Sequence, residues 1–72
     1  MDCIIAMRSQ TYAAKGERLL RRGGISSSII SIDPSLTRHG CAYGLRLSAA
    51  KCGEAQAILQ KNHLAYGDVL GG

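Results

Sequence analysis

The first apolar cluster of the chain is Cys3-Ile4-Ile5-Ala6-Met7, an unbroken run with a β-branched centre. That pattern predicts a central strand buried on both faces. The period then changes. From Thr11 to Arg22, Tyr12, Gly16, Leu19, Leu20 and Gly23 fall on one face at helical spacing, with Lys15, Arg18, Arg21 and Arg22 mostly opposite. Ser9 is the expected N-cap of this helix and Gly23-Gly24 its stop. From Ile25 to Ile32 the isoleucines at 29, 30 and 32 stand among serines, which predicts a less buried strand at a sheet edge. Asp33-Pro34 ends it and opens a loop that runs to Gly40.

From Cys41 to Leu47 the alternation of a strand is legible. Cys41, Tyr43, Leu45 and Leu47 share the face expected under the helices, and Ala42, Gly44 and Arg46 take the other. Ser48 is the expected cap of a second helix, Ala49 to Asn62, whose Cys52, Ala55, Ile58 and Leu59 lie together. A strand from Tyr66 to Leu70 closes the chain. The order β-α-β-β-α-β predicts an α+β fold: a single ferredoxin-like domain over residues 1–72, its antiparallel sheet in the order 4-1-3-2 with both helices on one face. In that topology strand three begins at the end of the sheet where helix one begins.

Seventy-two residues without Phe or Trp allow only a thin aliphatic core. A net charge of +4 is a mild bias toward anionic partners. Part of that bias, Arg18, Arg21 and Arg22, sits where a helix C-terminus favours cations in any case. Three cysteines at 3, 41 and 52 are too far apart for a CxxC pair or a zinc finger, so no metal site is expected, and nothing calls for a cofactor. Asp2 directly after Met1, and no apolar stretch near membrane length, predict a cytoplasmic protein with reduced thiols and no membrane association.

Candidate chemistry gathers between Thr37 and Arg46. Cys41 opens a strand there beside Arg38, His39 and Gly40. The predicted topology sets it near Ser9, Gln10 and Thr11, whose backbone N–H groups at a helix N-terminus favour a thiolate, with Arg38, His39 and Arg8 adding to the effect and Gly40 keeping the approach open. Cys3 and Cys52, on apolar faces, read as small core residues. His63 follows a helix end, a placement that accounts for it.

The first strand followed by Ser9-Gln10-Thr11, Glu17-Arg18-Leu19-Leu20 leading into Gly24-Ile25, the Asp33-Pro34 bend, and Gly40-Cys41 followed by Leu45-Arg46 occur in an order that resembles a family of small bacterial domains described as selenium/sulfur carrier-like. The likeness covers nearly the whole chain. It implies that Cys41 holds a sulfur or selenium atom as a persulfide or selenopersulfide, with Glu17 and Pro34 as scaffold. The family commonly has Gly after the cysteine and Arg after the bend proline, where this chain has Ala42 and Ser35. The resemblance also implies sulfur or selenium donor and acceptor proteins as partners. Such a thiol needs no general base, which accounts for the lack of a triad, metal cluster or phosphate loop and points to a carrier or accessory protein rather than a turnover enzyme.

Three other readings are open at this stage. The same architecture serves RNA-recognition modules, but nucleic acid is disfavoured because stacking needs aromatics on the open sheet face and Tyr43 should face the helices. Gly71-Gly72 matches a thiocarboxylate-forming terminus, although a ubiquitin-like fold begins with a hairpin and this chain goes from its first strand into a helix. Finally, a non-catalytic interaction or structural subunit, such as a homodimer, would pack through an open face carrying Ala42, Gly44 and Ile29.

Overall fold

The computed structural model describes residues 1–38 and 40–71. His39 and Gly72, both considered above, lie outside the described residues. Four strands, β1 (Asp2–Met7), β2 (Ser28–Ser31), β3 (Tyr43–Ser48) and β4 (Val69–Gly71), form one antiparallel sheet in the order β2-β3-β1-β4. This is the predicted order read from the other edge. Helices α1 (Gln10–Arg22) and α2 (Cys52–Lys61) complete the β-α-β-β-α-β succession.

β1 is central because its apolar run satisfies two neighbours at once. It pairs with β3 from Asp2↔Ser48 to Met7↔Tyr43, and with β4 from Cys3↔Gly71 to Ile5↔Val69. Cys3, Ile5 and Met7 from β1 join Leu45 and Leu47 from β3, Ala13 and Leu20 from α1, and Ala55 and Leu59 from α2 in one buried cluster. Both helices therefore cover the same face of the sheet. Gly16 makes the contact of α1 possible, since a Cβ there would come within 2.8 Å of the Leu45 Cδ1 methyl.

Both helices end in the same device. Gly24 adopts a left-handed conformation (φ 83°) while its N–H bonds to the Arg21 carbonyl and the N–H of Ile25 to that of Leu20. This is the Schellman motif, completed by burial of Ile25 against Leu20. Ile25 is therefore part of a helix stop, and the second strand starts at Ser28 instead of Ile25. In α2 the left-handed position falls to His63 (φ 57°), with its N–H on Gln60 and that of Leu64 on Leu59.

Other differences from the sequence reading are local. Ser9 caps α1 as expected, its Oγ accepting the Tyr12 N–H at 3.2 Å, but the helix begins at Gln10 and Tyr12 lies at the rim of its buried face. The second helix opens with a 3₁₀ turn, Ala49–Lys51, where the Ser48 hydroxyl makes no capping bond and the Ala49 N–H goes to the Met1 carbonyl. Ile29 is not on the open face. It pairs with Leu45 in register, so it shares the helix side at an exposed edge, while Ile30 lies opposite Gly44.

The expectation of three reduced thiols also fails. Cys3 and Cys52 are joined in a disulfide whose Cα atoms are 5.9 Å apart, leaving Cys41 as the free cysteine. Forty-nine positions separate the pair in sequence, so spacing gave no sign that β1 and the start of α2 would meet. No helix among the described residues is long and apolar enough to cross a membrane.

Candidate functional site: a cavity at the free thiol

At the end of the sheet where β1 stops and β3 starts, the chain departs from regular pairing on both sides. The Asp33 side chain accepts the Ser35 N–H at 3.0 Å and holds a single turn of 3₁₀ helix, Pro34–Leu36. Bonding from the Ser35 amide keeps the Asp33 carboxyl below its ordinary value. Thr37 follows, and its Oγ1 accepts the backbone N–H of Cys41 at 2.7 Å, closing the loop on itself. Gly40 permits the turn with φ 66°, a conformation costly for residues with a Cβ.

This loop decides where Cys41 goes. The residue precedes β3, so strand alternation does not govern its side chain. It is 6% exposed yet stands outside the cluster under the helices. Its Sγ is instead 3.3 Å from where a Cβ on Gly67 would stand, and the same point is 3.5 Å from the Cβ of Ala6. Ala6 alternates with Ile5 and Met7, which face the helices, so Cys41 sits at the flank of the sheet away from them.

The opposite wall comes from the approach to β4. Ala6 donates its N–H to the Asp68 carbonyl at 2.8 Å and accepts the Gly67 N–H at 2.7 Å, so Gly67 and Asp68 together face Ala6, as in a β-bulge. The irregularity turns Gly67 toward the sulfur. Asp68 Oδ2 accepts the backbone N–H of Arg38 at 3.0 Å and fastens this wall to the loop. Tyr66 packs against the core while its hydroxyl accepts from Gln60 Nε2 at 2.8 Å and donates to Gln56 Oε1 at 3.3 Å, which anchors the wall to α2.

Between the walls lies a cavity of ≈570 Å³ lined by Arg8, Arg38, Gly40, Cys41, Tyr66, Gly67 and Asp68. Of the residues expected at the site, Cys41, Arg38 and Gly40 line it, as does Arg8. Ser9, Gln10 and Thr11 do not: Ser9 is engaged in its capping bond, and Gln10 and Thr11 are exposed at the start of α1. Tyr66, Gly67 and Asp68 were not foreseen. They lie far along the chain from Cys41 and carry no local motif.

The cavity is cationic. Arg8 and Arg38 line it against the single acid Asp68, and neither arginine has an ion-pair partner among the described residues. No cluster of metal-ligating side chains occurs among the described residues.

Fold and site together define a small α+β protein with one unpaired thiol at the edge of a positively charged cavity. Residues 2–70 match the model of a family described as "Putative Se/S carrier protein-like", and the chain belongs to that family. Neither a search of curated proteins nor one of solved structures finds a match.

Proposed function

We propose that the protein carries a sulfur or selenium atom on Cys41, as a persulfide or selenopersulfide. The observation that supports this reading most directly is that the only free cysteine lines a cavity with two arginines. An added chalcogen atom finds space there, and its negative charge finds cations. Family membership supports this class of cargo.

The chemistry asks little of the protein. A thiolate attacks the outer sulfur of a donor, the donor's leaving group departs with the bonding pair, and a thiol of an acceptor later takes the atom by the same kind of displacement. Cys3 and Cys52 are unsuited to be that acceptor. They are bonded to each other, and Cys3 pairs with Leu47 at the far end of the ladder from Met7↔Tyr43. The acceptor is then a separate molecule. Tyr43 packs against the core, which weighs against the RNA-binding reading because stacking needs aromatics on the open face.

Mass spectrometry of the intact oxidised protein after exposure to sulfane-sulfur and selenium donors tests the proposal. One added sulfur or selenium atom is expected, located by peptide mapping to Cys41 and missing from Cys41→Ser. A wild-type protein that accepts neither atom from any donor would refute it.

A further inference from the structure

The carrier reading leaves open what delivers the atom, and the cavity speaks to that. We infer, resting on that reading, that Cys41 is loaded from a small sulfane-sulfur oxyanion of the thiosulfate class, with the oxyanion end held by Arg8 and Arg38. Two features select this donor over a persulfide borne on a protein. The first is access. Cys41 is 6% exposed and lines the cavity, a placement that favours a reacting atom brought in on something slender. A cysteine persulfide on a folded partner brings its backbone with it, whereas a thiosulfate ion is a few atoms across.

The second is charge and shape. Guanidinium groups present planar forks of N–H donors that match tetrahedral oxyanions. Arg8 follows the end of β1 and Arg38 belongs to the loop that carries Cys41, so the two cations come to the cavity from different elements. Asp68 is the opposing charge. One of its oxygens is already occupied by the Arg38 N–H, and two cations to one anion leave the cavity net positive.

The step balances without an outside oxidant. The Cys41 thiol gives its proton to solvent, and the thiolate attacks the outer sulfur of S₂O₃²⁻. A Cys41 S–S bond forms as the S–S bond of thiosulfate breaks. Sulfite leaves with the electron pair, and the cysteine is left as a persulfide anion. Negative charge builds on the departing sulfite, where the two guanidinium groups stabilise it. Selenosulfate is the selenium member of the same class.

The test separates anion binding from loading. In Cys41→Ser, which cannot react, titration with thiosulfate and with sulfite followed by NMR should shift the amides of Arg38, Gly67 and Asp68. Arg8→Ala and Arg38→Ala should each weaken binding by about tenfold, the loss expected for a charge-assisted hydrogen bond. Arg8→Lys and Arg38→Lys, which keep the charge and lose the fork, should fall between, with unchanged spectra elsewhere showing that the fold persists. In the wild type, thiosulfate should add one sulfur to Cys41 and release one sulfite. Binding that ignores both arginines, or an adventitious ion only, overturns the inference. So does loading by glutathione persulfide with none by thiosulfate, a result that leaves the carrier reading standing. Failure of every donor removes both.

Discussion

At the scale of single residues, the site depends on positions that carry no chemistry of their own. Gly67 is the clearest, because a side chain at position 67 would crowd the sulfur. In Gly67→Ala the new Cβ would stand 3.3 Å from the Cys41 Sγ and 3.5 Å from the Ala6 Cβ, closer to the sulfur than ordinary contact. The expected outcome is persulfide formation slowed severalfold while stability changes by about 1 kcal/mol or less, since Gly67 has no left-handed φ to strain. Stopped-flow loading beside a denaturant melt reads the two effects separately, and an unchanged loading rate would mean that the sulfur is approached from another side. Nothing in the sequence marked Gly67. By contrast, Cys41, Arg38, Gly40 and Arg8 were legible because they are near one another in sequence or at the end of an obvious strand.

At the scale of elements, patterns stronger than one residue carried through. The alternation of Tyr43, Leu45 and Leu47 and the shared face of Cys52, Ala55, Ile58 and Leu59 both appear in the packed core. Errors arose where an element stops. Ile25 looks like the start of a strand because it is β-branched and apolar, but it is buried as the hydrophobic partner of the α1 stop. Cys41 looks like the first inward residue of β3, yet Gly40 and Thr37 fix its direction before the strand begins. The two helix stops also differ in a testable way. Gly24 meets the left-handed conformation freely, while His63 holds it with a Cβ. Since His63 is exposed and no side-chain contact recommends it, His63→Gly should stabilise the protein by about 1 kcal/mol, read as a higher melting temperature or denaturant midpoint. A lower midpoint would mean that the imidazole contributes an interaction beyond its backbone strain.

For the whole molecule the question is how so small a chain keeps a cavity open beside its free thiol. At about 0.05–0.15 kcal/mol per residue, a chain of 72 residues holds roughly 4–11 kcal/mol of stability in total. A disulfide whose partners lie 49 positions apart removes unfolded-state entropy equivalent to about 4 kcal/mol, a large share of that range. It also acts at the other end of the sheet. Cys3 and Met7 are four residues apart on β1, about 13 Å along an extended strand, and Cys41 lies beyond the Met7↔Tyr43 pair. The bridge and the free thiol thus lie at opposite ends of one central strand. Native oxidised protein should accordingly show one thiol to a slow alkylating reagent, against three after reduction and unfolding. The Cys3→Ala/Cys52→Ala double variant should lose up to about 4 kcal/mol in a urea melt, yet load Cys41 at the wild-type rate wherever it remains folded. Equal stability with and without reductant would show that the bridge does not form in solution. A loading rate that falls with the bridge while the fold persists would show that the two ends of β1 are coupled after all.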